Sequence, residues 1–399
     1  MGGSSNTPTA SAAAAMVDQD SSVTASLTRR VITRITGGGI SSSRSSSGGS
    51  APDSSSFGTY VRRAHHAGSW SASNSEQLST ILGRYLSDAE DNLSTSGDPG
   101  GNGVPRAIVS PHAGYDYSGP SAAYSYLALR EFLMEAAAHS SSAGAQQDIT
   151  IVVLHPSHHV YLSGAAVSGA TMLQTPLGNL CVDDKLRNQL LTTGKFSIME
   201  QHVDEGEHSG ELQYPYIAKV INDALGGGIP KLFHCRVLPI MIGATGTSQE
   251  QKFGRLLAPY LAQTNVFTVV SSDFCHWGKR FSYYPCLSTN PDDGTPFNQI
   301  ADYIEWLDRK GMAKIEMQNP GAFATYLREH SNTICGRHPI AVWLESVALN
   351  GQNGSDRVNV AFVKYDQSSR VSTVDESSVS YASAVARLAI ETGASTKGS

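Results

Sequence analysis

The chain has 399 residues and a formal net charge of −6, and 40% of its residues are hydrophobic. This composition is typical of globular proteins and supplies enough apolar residues for a large core. Acidic and basic residues are interspersed without a basic stripe, which argues against a nucleic-acid partner. The sequence contains neither an apolar run of about 18 to 20 residues nor a signal-peptide pattern, so we expect no membrane span and no secretion.

Residues 1–58 consist mainly of Ser, Ala, Gly and Thr. A segment with so few large apolar residues cannot bury enough surface to offset the entropy lost on ordering. We therefore predict a disordered tail over residues 1–58, followed by a single α/β domain over residues 59–399. A targeting role for the tail is the weaker alternative, because the region around Arg29, Arg30 and Arg34 only loosely resembles a transit peptide.

Helix starts are predicted where a capping box precedes apolar residues at helical spacing. Residues 73–76 form such a box ahead of Leu78, Leu82 and Leu86, and residues 247–250 form a second box. We expect both to begin amphipathic helices that bury one face against the core.

Three short β-branched runs, residues 107–109, 149–154 and 266–270, are predicted to be buried strands. They alternate with the helices, which favours a largely parallel central sheet with helices on both faces. Residues 358–363 are predicted to add an edge strand. Each of the three buried strands runs into a loop that contains histidine, and ligands of open α/β sheets bind beyond the carboxyl ends of the strands. The sequence therefore predicts a site at this edge.

The histidines of the first two loops have several interpretations. A ligand role for His112 competes with a structural one, in which its ring hydrogen-bonds a loop carbonyl to fix the turn. His158 and His159 are adjacent, so in an extended segment they point in opposite directions and only one faces the cleft. The other is expected to be structural, as is His155.

Asp273 and His276 are candidate catalytic partners, since a carboxylate fixes the tautomer of an imidazole and raises its basicity. Their spacing suits a turn of helix, and the equally favoured alternative is that Asp273 only caps a helix. Cys335 precedes a predicted helix that has Pro339 in its first turn. A cysteine near the N-terminus of a helix has its thiolate form favoured. The five cysteines form no CxxC pair, which indicates a reducing compartment. The other four are interpreted as small buried apolar side chains, namely Cys181, Cys235, Cys275 and Cys286.

An acidic run lies ahead of another amphipathic helix and contains Asp204, Glu205, Glu207 and His208. Acidic side chains at the start of a helix are stabilised by its dipole. We therefore favour a solvated helix start over a metal site for this segment.

Five motifs, in this order, resemble those of the Memo family. They are HAGSW at residues 66–70, PHAGY at 111–115, PSHH at 156–159, SSDFCHW at 271–277 and NTICGRHP at 332–339. The resemblance runs from about Arg63 to about Val385. It implies a single α/β domain similar to class III extradiol dioxygenases, in which two histidines and a glutamate hold non-heme iron.

The resemblance also implies roles for the site residues. His112 and His158 match the two histidine ligands, and Cys335 stands where those dioxygenases have their carboxylate. His276 matches the acid/base histidine, with Asp273 as its candidate partner. Memo proteins are described as redox-active and as binding copper or iron, so the implied cofactor is a copper or iron ion, with zinc as an alternative.

Memo proteins are also described as cytoplasmic effectors of receptor-driven cell motility that bind phosphotyrosine peptides. The resemblance therefore implies a phosphotyrosine peptide or a signalling protein as partner, and a cytoplasmic location, with the nucleus as the alternative. Trp70, Tyr117 and His159 are then expected to line the ligand-binding cleft. Ser71 stands where the human-like pattern has Tyr, which weakens the peptide-binding part of the resemblance.

The cysteine at position 335 separates the functional alternatives. Two imidazoles and a carboxylate suit iron(II), whereas a thiolate is softer and favours copper(I) or zinc. We therefore expect a metal-dependent redox protein in signalling or cytoskeletal regulation, and little ring cleavage of the non-heme iron dioxygenase kind. An alternative of another class is a phosphopeptide-binding module that uses the cleft without turnover. A cysteine hydrolase pairing Cys335 with His276 lacks an evident oxyanion loop.

Overall fold

The computed structural model describes residues 60–96, 101–143, 147–225, 233–352 and 357–389. The tail predicted over residues 1–58 lies outside the described residues. The strands of the described part are β1 (Val61–Arg62), β2 (Pro105–Ser110), β3 (Gln147–Pro156), β4 (Ala165–Val167), β5 (Met172–Leu173), β6 (Leu180–Val182), β7 (Phe196–Ile198), β8 (Phe233–Ile242), β9 (Val266–Ser271), β10 (His276–Trp277), β11 (Val358–Gln367) and β12 (Ser378–Leu388). Its helices are α1 (Ser75–Ser96), α2 (Tyr115–Ala143), α3 (Asp184–Thr192), α4 (Gln201–Gly206), α5 (His208–Glu211), α6 (Tyr214–Leu225), α7 (Thr247–Leu261), α8 (Ile300–Glu316), α9 (Pro320–His330) and α10 (Arg337–Gln352).

The strands form one mixed, mostly parallel sheet of 12 strands. Its main order is β1-β5-β6-β8-β3-β9-β2-β12-β10, while β11 pairs with β12, and β4 pairs with β7 and β8. The central strands β3, β9 and β2 are parallel neighbours, so their carboxyl ends lie at the same edge of the sheet. The runs predicted at residues 107–109, 149–154 and 266–270 lie inside these three strands, which confirms them.

Burial shows how this sheet is covered. Every residue of β2 and of β9 is buried. Because successive side chains of a strand point to opposite faces, complete burial means that both faces are covered. Helix α2 packs against β2, and α10 packs against β3 and β9. The predicted α/β fold class is therefore confirmed.

The two predicted capping boxes are each displaced by one residue. Helix α1 begins at Ser75, and its cap is Asn74, whose Oδ1 accepts a hydrogen bond of 2.9 Å from Gln77 N. At α7 the N–H of Gly246 donates to Gln249 Oε1 at 3.4 Å. Asn caps as well as Ser does, so sequence spacing alone could not choose between adjacent candidates.

The edge strand predicted at residues 358–363 lies within β11, which among the described strands pairs only with β12. All five cysteines are free, and Cys275 is buried as predicted. Cys181 and Cys286 are exposed, which makes that part of the prediction wrong. In β6 the side chains alternate, so Cys181 points outward between two buried neighbours. None of the described helices is long and apolar enough to cross a bilayer.

Candidate metal centre

The carboxyl ends of the three central strands bring the predicted site residues together. His112 follows β2, His158 follows β3, and Asp273 and His276 follow β9. The ring centroids of His112 and His158 lie 5.3 Å apart. This clustering arises because the three strands are adjacent and parallel, although they are far apart in the chain.

A hydrogen-bond network fixes the tautomer of His112, which is buried. The hydroxyl of Ser271 donates to the carbonyl of Ser209 at 2.7 Å and accepts from Gln213 Nε2 at 2.9 Å. Since a hydroxyl has only one hydrogen, Ser271 Oγ accepts from His112 Nδ1 at 2.7 Å. The neutral ring therefore has a lone pair on Nε2. Burial lowers the pKa of His112 well below its usual range, and the neighbouring imidazoles act in the same direction.

Glu207 orients His158 in a similar way. Its Oε1 accepts a hydrogen bond of 2.9 Å from His158 Nδ1, and its Oε2 accepts one of 2.6 Å from the backbone N–H of His158. Burial by itself raises the pKa of Glu207, but the attraction of His158 and its hydrogen bond hold that pKa well below its usual range. In the neutral form of His158 the carboxylate places the proton on Nδ1, so that a metal would bind at Nε2, an arrangement common behind metal-binding histidines.

Cys335 reaches the same cluster. Its Sγ lies 3.1 Å from His112 Nε2 and accepts a hydrogen bond of 3.2 Å from the N–H of Asp273. The next residue, Gly336, packs so closely on β9 that a Cβ there would lie 2.4 Å from Ser272 Cβ. Only glycine fits at this position, and it lets Cys335 approach the strand ends.

The surroundings of Cys335 disfavour the thiolate, which the sequence had led us to expect. Burial raises its pKa, although a hydrogen bond with His158 acts in the opposite direction. The expectation that a helix N-terminus favours the thiolate is therefore wrong for this structure, because desolvation disfavours the charged form. Metal binding at Cys335 must displace a proton.

Asp273 and His276 are held by backbone groups. Asp273 Oδ1 accepts a hydrogen bond of 2.8 Å from the N–H of His112. The segment between β9 and β10 is not helical, so both the helical turn and the helix cap predicted for Asp273 are wrong. His276 Nδ1 lies 2.9 Å from the carbonyl oxygen of Phe274 and 3.1 Å from that of Thr333. Because carbonyls only accept, His276 carries its hydrogen on Nδ1 and can take up a proton at Nε2.

His208 was not among the predicted ligands, because a solvated helix start was favoured over a metal site for its segment. Ligand nitrogens of His112, His158 and His208 all lie within 4.8 Å of one another, so the three imidazoles could hold a metal ion. The rings of His158 and His208 stack with their centroids 4.6 Å apart. The solvated helix start predicted for this segment is wrong, because Asp204, Glu205, Glu207 and His208 are all buried.

A buried arginine explains why this acidic segment can leave the solvent. Arg62 is 1% exposed and donates to Asp204 Oδ1 at 3.0 Å and to Glu211 Oε2 at 2.8 Å. It also donates to the carbonyls of Asp204 and Glu207, each at 2.8 Å. Burial works against its charge, yet the attraction of Glu211 and Asp204 raises the pKa of Arg62. Helical spacing of the acids would not have revealed this arrangement, because Glu207 is extended between α4 and α5.

Aromatic residues flank the imidazoles. The ring of Trp70 lies 4.5 Å from that of His208 and 5.9 Å from that of His66. The ring of His159 lies 6.0 Å from that of His208, so His159 and His158 both lie near it. The loop after β3 is not extended, and for this reason the expected opposite orientation of the two adjacent histidines does not apply. Tyr117 is half-buried in the first turn of α2.

These features define an α/β protein with an imidazole and thiol cleft at the carboxyl ends of three parallel strands. Residues 62–385 match the family model described as Memo-like protein. The chain is 39% identical to Protein MEMO1 of Danio rerio over 321 residues, which cover 80% of this chain and 95% of the relative. It is 38% identical to Protein MEMO1 of Homo sapiens, with coverage of 80% and 95%. Identity to the Protein memo-1 homolog of Caenorhabditis elegans is 35%, with coverage of 83% and 84%. The chain belongs to the Memo family.

Proposed function

We propose that the cleft binds a copper or iron ion through His112, His158 and Cys335, and that the protein is a metal-dependent redox protein in signalling or cytoskeletal regulation. The observation that carries this proposal is the approach of Cys335 Sγ to within 3.1 Å of His112 Nε2, a nitrogen with an available lone pair. His158 offers a second such nitrogen beside it. Two imidazoles and a thiolate form a donor set compatible with softer ions, of which copper(I) fits best.

The protein groups around this donor set have distinct tasks. When bound, the ion supplies one-electron chemistry. Glu207 and Ser271 hold the two imidazoles in the tautomers that present Nε2. His276, whose hydrogen is fixed on Nδ1, accepts or returns a proton at Nε2.

Metal analysis and a competition titration test the proposal. Protein purified without an affinity tag should contain copper or iron. In titrations with a competing copper(I) chelator, Cys335→Ser should lower the affinity at least about tenfold, equivalent to about 1.4 kcal/mol, because a neutral hydroxyl replaces a soft anionic donor. Equal affinities of wild type and Cys335→Ser, both folded by circular dichroism, would show that Cys335 is not a ligand.

The pH dependence of copper(I) binding gives an independent check. Because burial raises the pKa of the Cys335 thiol, the ion competes with a proton at neutral pH. The apparent affinity should therefore increase as the pH rises until the thiol is deprotonated. The same titration of Cys335→Ser should lack this part of the pH dependence.

Ring cleavage of catechols is not the activity we propose. Cys335 replaces the carboxylate that iron(II) dioxygenases use, so protein loaded with iron(II) should show little catechol-dependent oxygen uptake. Sustained uptake that disappears in His276→Ala would instead establish the dioxygenase alternative.

We propose that the partner is a phosphotyrosine peptide or a signalling protein. We also propose that the protein acts in the cytoplasm, with the nucleus as the alternative location. The half-buried ring of Trp70 supports this proposal, since it stands beside His66 and His208 and can stack on a tyrosine ring. Calorimetric titration with phosphorylated and unphosphorylated forms of one peptide should show a preference that Trp70→Ala weakens. Binding by metal-free protein with no redox activity would favour a binding module without turnover.

A further inference from the structure

We propose that His112, His158 and His208 form an alternative metal position, which uses His208 in place of Cys335 and is selective for borderline divalent ions such as Zn²⁺ or Co²⁺. This inference rests on the proposed function, because the two positions share His112 and His158. It assigns His208 as a metal ligand and makes the cleft able to hold ions of different softness on different donor sets.

The distances between the ligand nitrogens support this assignment. All three nitrogens lie within 4.8 Å of one another. Zn–N bonds are about 2.0 to 2.1 Å long and zinc sites are tetrahedral, so two nitrogens on one zinc ion lie about 3.3 to 3.4 Å apart. Side-chain movements of less than about 1 Å would bring the three imidazoles into contact with one ion. Three histidines with an open fourth position are a known ligand set for zinc.

The electrostatics of the cluster also favour a bound cation. His112 and His208 are each 2% exposed, so an ion at this position would be shielded from water. Glu207 Oε1 lies 2.9 Å from His158 Nδ1 and 3.6 Å from His208 Nδ1. One buried carboxylate thus stands behind two of the three proposed ligands and can partly balance the charge of an ion.

Packing alone explains only part of the arrangement. The ring of His208 lies between the tilted ring of Trp70, with centroids 4.5 Å apart, and the stacked ring of His158, and these contacts account for its burial. They do not account for the convergence of ligand nitrogens from three different loops. The softness of the donors then separates the two positions, because copper(I) prefers the thiolate whereas Zn²⁺ and Co²⁺ bind well to imidazole.

Co²⁺ titration of the full-length, metal-free protein tests the inference. Wild type and Cys335→Ser should bind Co²⁺ alike, with visible d–d absorption and without a near-ultraviolet thiolate band. His208→Gln should lower the Co²⁺ affinity at least about tenfold and leave copper(I) affinity within about threefold of wild type. His202→Gln is the matched control, since His202 lies one helix earlier with a side chain that is 76% exposed. It should bind both ions as wild type does.

The outcomes separate the inference from the proposed function. Unchanged Co²⁺ binding by His208→Gln, or a thiolate band in wild type that Cys335→Ser loses, would overturn the alternative position and leave the copper site standing. Failure of wild type to bind copper(I) would instead count against the proposed function. If His208→Gln does not fold, the imidazole nuclear magnetic resonance signals of wild type titrated with Zn²⁺ decide the question, because the signals of His208 should shift and those of the exposed His202 should not. Unchanged His208 signals on saturation with Zn²⁺ would also overturn the inference.

Discussion

The two walls of the histidine cleft are held in place by different physical means. The acid wall, residues 204–211, carries Glu207 and His208 and is fixed by the buried guanidinium of Arg62. The thiol wall, residues 332–336, carries Cys335 and is fixed by close backbone packing on β9, where the N–H of Gly336 donates to Ser272 Oγ at 3.1 Å.

This difference determines what each wall tolerates. A buried ion pair is damaged when one partner is removed, because the other charge is left in a medium that solvates it poorly. A close backbone contact is damaged when volume is added, because neighbouring atoms cannot withdraw without strain. One side of the cleft therefore depends on charge, and the other depends on space.

Loss of the arginine should produce the largest effect. Arg62→Met leaves the carboxylates of Asp204 and Glu211 without their buried partner, so we expect the free energy of unfolding to fall by about 3 to 5 kcal/mol. Urea unfolding of the full chain measures it. Arg309→Met is the matched control, because Arg309 is 55% exposed and its partner Glu305 is 34% exposed, so this surface ion pair should contribute about 1 kcal/mol or less. Similar losses for both variants would contradict the role given to the acid wall.

An added methyl group should disrupt the thiol wall. In Gly336→Ala the new Cβ would lie 2.4 Å from Ser272 Cβ and 2.5 Å from the carbonyl oxygen of Ser271, and we expect a loss of about 3 kcal/mol with weaker copper(I) binding. Gly351→Ala in α10, the helix that follows Gly336, is the control, since nothing lies within 4 Å of a Cβ there. Its stability should be unchanged or slightly higher. If Gly336→Ala were as stable as wild type, the atoms around Gly336 would be able to move apart, and the close contact would not fix the thiol wall.

A buried carboxyl group couples the thiol wall to pH. Asp308 is fully buried, and its Oδ1 accepts from Cys275 N at 3.2 Å and from Asn332 Nδ2 at 2.8 Å. Burial raises the pKa of Asp308 to about 6. A folded-state pKa above the unfolded value favours the protonated form, so its contribution to stability is present below about pH 4 and lost as the pH rises through about 6.

The variant Asp308→Asn should remove that pH dependence. Relative to wild type, its free energy of unfolding should increase by about 2 kcal/mol between pH 4 and pH 7, because the amide does not ionise. Unfolding curves of both proteins at a series of pH values measure the difference. Parallel stability profiles would mean that Asp308 does not titrate in this range.

The smallest expected effect on metal binding concerns His276. In His276→Ala the copper(I) stoichiometry should stay the same and the affinity should stay within about threefold, while redox activity is lost with the proton acceptor. Chelator competition measures the copper(I) affinity, and an assay of copper-dependent oxygen reduction measures the redox activity. A variant that no longer binds copper(I) would make His276 a ligand and place the metal closer to the thiol wall than we propose.

Much of the fold and part of the site could be predicted from local patterns. The β-branched runs at residues 107–109, 149–154 and 266–270 indicated central strands because burial on both faces requires continuous apolar sequence. The position of histidines directly after those runs was sufficient to bring His112, His158 and His276 to one edge. Hydrogen-bond roles were not predictable in this way, as the non-helical segment of Asp273 shows.

The sequence by itself determined the α/β class, the central strands, the strand-end histidines and the motifs of the family. Only the tertiary structure decided that the acidic segment is buried and that His208 joins the cleft. An acidic run looks solvated when its neighbours in the chain are considered alone, and its burial depends on Arg62, which lies 142 positions away from Asp204. A buried charge is stable only beside its partner, and that pairing exists only after the chain has folded.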